Sequence, residues 1–205
     1  RDEDVSRGLG DVYKRQVEYS ETYEAMMLLI ESQPSFHSIW SLEHFPVFTI
    51  GISEKEITED KLKTPPFIKT DRGGKTTFHA PGQQVFYFIL NMKKLPFPPT
   101  DLTKKILETT SSVLASYDLK HNINAHDPGI FIEKQKVASI GMRIKKNYSY
   151  HGLSINIETD LDTFNSIKPC GLDVQACNLK DYIDISVVNL KKELFPESQK
   201  LYEGC

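Results

Sequence analysis

Six consecutive apolar residues at positions 85–90 are typical of a strand that is buried inside a sheet. Shorter apolar or alternating runs predict further strands, and runs with a helical period predict helices that pack on them. The strands follow one another in hairpin-like order, so we predict an α+β fold with a mixed, largely antiparallel sheet and packed helices. The other predicted strands span 38–42, 47–50, 67–70, 130–132, 137–144 and 148–157, and the predicted helices span about 20–32, 101–117 and 184–194, the last ending before Pro196.

Composition excludes several classes of protein. The 205 residues are 39% hydrophobic and 26% charged, which is ordinary for one globular domain. The net charge of -3 does not favour nucleic-acid binding, and no run approaches the ~20 apolar residues of a membrane span. Three sparse cysteines favour a reducing compartment, so we expect a cytoplasmic protein, and a monomer as the default.

The N-terminal segment differs from the rest of the chain. Residues 11–16 (DVYKRQ) resemble translated sequencing-adapter DNA, and residues 1–16 have no apolar period. We therefore expect 1–16 to be a non-native or disordered segment and 17–205 to form a single catalytic domain. A native disordered N-terminus is the alternative.

One cysteine lies in a context that suits a nucleophile. Cys170 stands between Pro169 and Gly171, a pattern typical of an exposed turn, and a thiolate there would need a nearby cation. The alternative is an inert, small apolar residue. Cys177 and Cys205 lack such surroundings and are expected to be inert.

A lysine opens the predicted strand at 137–144. Lys136 precedes the small-residue sequence Val137-Ala138-Ser139-Ile140-Gly141, which allows a ligand or another backbone to approach closely. A solvated charge at a sheet edge is the commoner role for such a lysine.

Two further segments carry polar groups at predicted turns. Residues 72–83 (RGGKTTFHAPGQ) contain adjacent glycines whose N–H groups can face an acceptor, although a plain hairpin turn has the same pattern. A nucleotide P-loop is a weak match, because the required earlier glycine falls on Lys69. His151, in His151-Gly152-Leu153-Ser154, is either a base for Cys170 or a core histidine. The spacing of His121 and His126 does not suit a metal, so no metal site is predicted.

Together, four segments resemble the lipoyl(octanoyl) transferase family: 72–83, 136–141 (KVASIG), 150–156 (YHGLSIN) and 169–172 (PCGL). The resemblance implies a fold similar to the catalytic domain of biotin and lipoate protein ligases. It also implies that Cys170 is the nucleophile, that Lys136 is its activating cation, and that a substrate pocket is formed by Arg72, Gly73, Gly74, Lys75, Thr76, Thr77, Phe78, His79, Ser139, Ile140, Gly141, Gly152, Leu153 and Ser154.

The chain departs from the family pattern at three places. Phe78-His79-Ala80 replaces the usual Tyr-His-Gly, and Lys168 stands where Asn often precedes the Pro-Cys pair. The family's first strand, expected before the helix at 20–32, has no counterpart in the sequence pattern. Its loss would leave a sheet edge without a partner.

The activity implied by the resemblance is octanoyl transfer from octanoyl-acyl carrier protein to a lysine of a lipoyl domain, through a cysteine thioester. The acceptors would be lipoyl domains of 2-oxoacid dehydrogenases and the glycine-cleavage carrier protein. No ATP, metal or other cofactor is expected, because a thioester already supplies the driving force. The alternatives are an ATP-dependent lipoate protein ligase, a lipoyl amidotransferase, and a non-catalytic scaffold that binds carrier proteins.

Overall fold

The computed structural model describes residues 13–54, 65–124, 126–166, 174–185 and 187–202. Short 3-10 turns lie at Met92–Lys94, Pro99–Asp101 and Leu179–Asp181. The four helices within these ranges are α1 (Tyr19–Glu31), α2 (Leu102–Ala115), α3 (Leu161–Ser166) and α4 (Val187–Gln199). The strands are β1 (Tyr13–Val17), β2 (Ser38–His44), β3 (Val47–Ile50), β4 (Phe67–Lys69), β5 (Thr77–His79), β6 (Gln83–Ile89), β7 (Asn122–Asn124), β8 (Gly129–Ile132), β9 (Gln135–Lys145) and β10 (Tyr148–Asn156).

Two sheets organise the strands. The larger has seven strands in the order β1-β2-β6-β10-β9-β8-β7, with only the β1–β2 pair parallel. The smaller has the order β4-β3-β5, parallel between β3 and β4 and antiparallel between β3 and β5. The predicted α+β fold with a mixed, largely antiparallel sheet is therefore confirmed.

The apolar run that predicted a buried strand forms the centre of the large sheet. Along β6, Val85 and Tyr87 join the cluster that α1 covers through Met26 and Ile30. Phe86 and the other alternate residues join a second cluster, built by α2 and α4 on the opposite face. Because successive side chains point to opposite faces and both faces carry helices, this strand needs an unbroken apolar sequence.

The expectation of a missing first strand is wrong. β1 pairs in parallel with β2, and Val17 lies opposite His44 in the register. The Val17 carbonyl also accepts hydrogen bonds from the backbone N–H of Phe45 (3.2 Å) and from His44 Nδ1 (3.0 Å). An edge strand held by its backbone needs no apolar period, which is why the sequence pattern did not reveal it. Residues 1–12 lie outside the described part of the chain.

The sequence predicted that the last helix ends before Pro196, and this prediction is wrong. α4 contains this proline and continues to Gln199. A proline inside a helix removes one backbone hydrogen bond. Phe195 and Ser198 are buried on either side of the proline, and they give the continued helix a packed face that offsets this loss.

None of the helices in the described ranges has both the length and the apolar character that crossing a bilayer requires.

Candidate active site

A cavity of about 480 Å³ opens where β5 and the loop before it meet β9 and β10. This volume falls within the range of small-molecule sites. Lys136 lines the cavity, and so do all of the pocket residues predicted from the sequence except Phe78. These are Arg72, Gly73, Gly74, Lys75, Thr76, Thr77, His79, Ser139, Ile140, Gly141, Gly152, Leu153 and Ser154.

Phe78 is the exception, and its predicted place in the pocket is corrected. Thr77 and His79 line the cavity, and Phe78 between them belongs to a separate apolar cluster. Its ring lies 4.8 Å from that of Phe48 and 6.2 Å from that of Phe164. Alternation along β5 explains the difference, because a strand cannot present three successive side chains to one face.

Lys136 is held at the cavity by the backbone on both sides. Lys136 pairs with Phe131 between β8 and β9. Its backbone N–H donates to the Gln175 carbonyl (2.8 Å), and its carbonyl accepts from the backbone N–H of Cys177 (3.1 Å). A Cβ added at Gly129 would lie 2.5 Å from Lys136 Cε, so this glycine provides the space through which the lysine side chain passes.

The charge on Lys136 depends on opposing influences. Burial lowers its pKa, and Arg72 lowers it further. The Asp127 carboxylate, whose Oδ1 lies 2.7 Å from Nζ, acts in the opposite direction. An ammonium near the Phe131 ring, 5.3 Å from its centroid, gains a further attraction.

Cys170 and Lys168 lie outside the described residues, in the stretch 167–173. The described residues that flank this stretch lie at the cavity. Phe164, Val174 and Ala176 line it, and the backbone N–H of Ala176 donates to Asn165 Oδ1 at 2.9 Å. The two ends of the stretch are therefore joined beside the cavity.

The other cysteines differ in what the structure describes. Cys177 is buried, and burial raises the pKa of its thiol to about 12, with Asp181 adding to the rise. It is therefore a poor nucleophile, in agreement with the sequence prediction. Cys205 lies outside the described residues.

Arg72 anchors the glycine loop to the small sheet. Its guanidinium donates to Thr49 Oγ1 (3.1 and 3.0 Å), to the Thr49 carbonyl (2.6 Å) and to the Gly73 carbonyl (3.0 Å). Burial lowers the pKa of Arg72 to about 10, so the group stays cationic at neutral pH. The loop then lies against β9, where a Cβ at Gly141 would meet Gly73 O at 2.6 Å.

His79 is neutral, and its hydrogen bonds fix the tautomer. Gln83 Nε2 donates to Phe78 O and Asn156 Oδ1, so Gln83 Oε1 accepts from His79 Nδ1 at 2.6 Å. His79 Nε2 then accepts from the Thr49 hydroxyl at 3.3 Å. Burial lowers the pKa of His79 to about 3, and the nearby His44 adds to the lowering.

His151 orients the start of the glycine loop. It has φ of 62°, a backbone conformation that is costly for a non-glycine residue, and its Nε2 lies 2.8 Å from Asp71 Oδ1. Burial lowers the pKa of His151, and the hydrogen bond between Nε2 and the Asp71 carboxylate acts in the opposite direction. Burial raises the pKa of Asp71, but hydrogen bonds from Tyr150 and His151 outweigh it and leave that pKa below its usual value.

Sequence reasoning missed several residues of the cavity, among them Tyr19, Tyr87 and Asp127. Tyr19 and Tyr87 are part of ordinary helix and strand patterns, and no sequence signal marks them. Asp127 precedes Pro128-Gly129, where a polar residue is normal for a turn. The described residues contain no cluster of three or more metal-ligating side chains.

Comparison with known proteins places this geometry in a family. The model of the lipoyl protein ligase A/B catalytic domain matches residues 19–198. The octanoyltransferase of Buchnera aphidicola is 36% identical over 169 residues, covering 77% of this chain and 78% of the relative. That of Wigglesworthia glossinidia brevipalpis is 37% identical over 177 residues, covering 85% and 81%.

Solved structures share the fold at lower identity. A putative lipoate protein ligase from Thermoplasma acidophilum superimposes with a TM-score of 0.76 at 14% identity, covering 95% of this chain and 85% of that one. A biotin protein ligase from Aquifex aeolicus gives 0.53 at 12% identity, covering 95% and 69%. The predicted likeness to both ligase classes is confirmed, and the chain belongs to the lipoyl protein ligase A/B catalytic domain family.

Proposed function

We propose that this chain is an acyltransferase that moves an octanoyl group onto a lysine of a lipoyl domain, the first step of endogenous protein lipoylation. Its sequence relatives named octanoyltransferase support this activity over the ligase chemistry of its structural neighbours, whose identity is too low to bear on function. The observation that carries the proposal is Lys136, a largely buried lysine that lines the cavity and bonds through its backbone to Gln175 and Cys177, close in sequence to Cys170.

We propose Cys170 as the nucleophile. Val174 is four positions after it, and an extended chain of that length spans at most ~14 Å. Val174 lines the cavity, as does Phe164 on the other side of Cys170 in the chain, so a thiol at position 170 is within reach of the cavity. Lys136 in its ammonium form would favour the thiolate, because an opposite charge within ~4–6 Å lowers a thiol pKa.

The proposed reaction has two balanced steps. The Cys170 thiolate attacks the thioester carbonyl of octanoyl-acyl carrier protein, the carbon–sulfur bond to the carrier breaks, and the carrier leaves as a thiol after taking a proton. The neutral amine of the acceptor lysine then attacks the enzyme thioester, loses a proton, and displaces the Cys170 thiolate. Lys136 is the proposed carrier of these protons, because it lines the cavity and burial lowers its pKa.

The remaining groups of the cavity would position the substrates. Val85, Ile140, Met142 and Leu153 supply an apolar wall for the octanoyl chain, where each buried CH₂ is worth ~0.8 kcal/mol. His79 is neutral and has both ring nitrogens occupied by hydrogen bonds, so we assign it no proton transfer.

The proposal extends to partners and cofactors. The acyl carrier protein is the proposed donor, and lipoyl domains of 2-oxoacid dehydrogenases and the glycine-cleavage carrier protein are the proposed acceptors. Because the donor thioester is already activated, we propose that neither ATP nor a metal takes part. A monomer acting in the cytoplasm remains our expectation.

One reconstitution separates this function from its alternatives. The purified chain is incubated with octanoyl-acyl carrier protein and an unmodified lipoyl domain, and the intact mass of the domain is followed. We expect the mass of one octanoyl group to be added without ATP, at a rate that falls at least a thousandfold in Cys170→Ala. The buried Cys177→Ala is the matched control and keeps the wild-type rate.

Other outcomes would assign another function. Transfer that requires ATP and survives Cys170→Ala would identify a ligase. Transfer from a modified lipoyl domain, but not from the acyl carrier protein, would identify an amidotransferase. Binding of both carriers without any transfer would identify a scaffold.

A further inference from the structure

An ion pair joins Lys136, on β9, to a carboxylate in the loop that precedes β8. Asp127 lies in the loop between β7 and β8, and its Oδ1 is 2.7 Å from Lys136 Nζ. Both residues line the cavity; the lysine side chain is 17% exposed and the Asp127 side chain is 38% exposed. A charge pair with this geometry and burial interacts more strongly than a surface pair, because less water screens it.

The carboxylate is placed by its own loop. Asn124 Oδ1 accepts hydrogen bonds from the backbone N–H groups of His126 (2.9 Å) and Asp127 (3.2 Å). Such a side-chain turn fixes the backbone just before Pro128. On the other side, Gly129 leaves the space that the lysine side chain crosses. The contact is therefore built by both partners and does not depend on a freely moving side chain.

The charged groups around Lys136 determine how strongly its ammonium form depends on Asp127. Arg72 lines the same cavity and disfavours a second positive charge at Lys136. Burial acts in the same direction, and Asp127 is the carboxylate that opposes both. Two other titratable residues lie near the pair. His126 is next to Asp127 and also lines the cavity, and Cys177, whose backbone is hydrogen-bonded to that of Lys136, is a buried thiol.

We propose that Asp127 is a positioning residue that keeps Lys136 in its ammonium form and thereby sets the pH range of acyl transfer. The proposal rests on the roles given to Lys136 and Cys170 above. Without the carboxylate, Lys136 would lose its proton at a lower pH, and the Cys170 thiol would also ionise at a lower pH. Removing one negative charge shifts both groups in the same direction.

The test is the pH dependence of octanoyl-enzyme formation from octanoyl-acyl carrier protein, compared for wild type and Asp127→Asn. We expect the alkaline limb of the profile to move to lower pH by about one unit, and the acid limb to move in the same direction. Asp127→Glu restores the charge and should return the profile toward that of wild type. Asp118→Asn, an exposed aspartate with φ of 57°, where asparagine is well tolerated, is the matched control and should not shift it.

A second readout covers the case in which Asp127→Asn folds poorly. Alkylation of Cys170 by iodoacetamide, followed by peptide mass spectrometry across pH in Asp127→Glu and Asn124→Ala, requires only the folded chain. Asn124→Ala should shift the profile in the same direction as Asp127→Asn, by a smaller amount. A profile for Asp127→Asn that superimposes on wild type, or equal shifts for Asp127→Asn and Asp127→Glu, would overturn the inference.

The two proposals fail in different ways. If Cys170→Ala still forms an octanoyl-enzyme, the proposed function is wrong whatever Asp127 does. If Cys170→Ala abolishes the adduct and Asp127→Asn leaves the profile unchanged, the nucleophile stands and only the role of Asp127 is refuted.

Discussion

Mild acid should destabilise this protein through two buried histidines. His44 donates from Nδ1 to the Val17 carbonyl and accepts at Nε2 from the Tyr87 hydroxyl at 2.6 Å, while His79 has both nitrogens bonded. Burial lowers the pKa of His44 to about 4 and that of His79 to about 3. Both rings are therefore neutral in the folded protein, whereas in the unfolded chain they titrate near the ordinary histidine pKa of ~6.5.

The sign and size of the effect follow from proton linkage. Below pH ~6.5 the unfolded chain binds protons that the folded protein does not, so the free energy of unfolding falls as pH falls. Between pH 7 and pH 5, each of the two histidines lowers the free energy of unfolding by roughly 2 kcal/mol, and the pair by roughly 4 kcal/mol. Most domains have a total stability of only ~5–15 kcal/mol, so the change is large.

Urea unfolding at pH 7, 6 and 5, followed by the fluorescence of the single tryptophan, Trp40, measures this loss. In His44→Gln the loss between pH 7 and pH 5 should shrink by roughly 2 kcal/mol. Tyr87→Phe is the control: it removes the hydroxyl that bonds His44 but keeps the titrating ring, so it should retain most of the pH dependence. A wild-type loss below ~1 kcal/mol, or an unchanged loss in His44→Gln, would refute the reasoning.

Two further predictions concern the space around Lys136 and the buried thiol. In Gly129→Ala the new Cβ would lie 2.4 Å from the Ala138 carbonyl and 2.5 Å from Lys136 Cε. We expect the free energy of unfolding in urea to fall by ~1–3 kcal/mol and the transfer rate to fall at least tenfold. A wild-type rate would show that the Lys136 side chain does not need the space beside Gly129. Cys177 in the folded protein should resist iodoacetamide at pH 8, because burial raises its pKa to about 12; rapid labelling, read by peptide mass spectrometry, would show that its burial is wrong.

Local patterns predicted most of the secondary structure. The run at 85–90 identified the central strand, because only a strand covered on both faces needs an unbroken apolar sequence. The sequence did not predict β1 and β7, because short strands held mainly by backbone pairing carry no apolar period. The predicted end of α4 was wrong because tertiary burial of Phe195 and Ser198 outweighed the helix-breaking preference of Pro196.

The candidate site was predictable only where several motifs pointed to one place. Four short segments, far apart in the chain, predicted a shared pocket. Three of them lie in the described part of the chain, and every pocket residue predicted from them except Phe78 lines one cavity. Asp127 was not predictable, because nothing local links position 127 to position 136. Their contact arises from the pairing of β8 with β9 and from the absence of a side chain at Gly129.

The covalent intermediate tests the central claim most directly. The wild-type chain is mixed with octanoyl-acyl carrier protein in the absence of an acceptor, and its intact mass is recorded before and after addition of a lipoyl domain. We expect an enzyme that carries one octanoyl group, mapped by peptide fragmentation to Cys170, and that loses this group to the added domain. An adduct that persists in Cys170→Ala, or one that the lipoyl domain never removes, would show that Cys170 does not carry the octanoyl group between donor and acceptor.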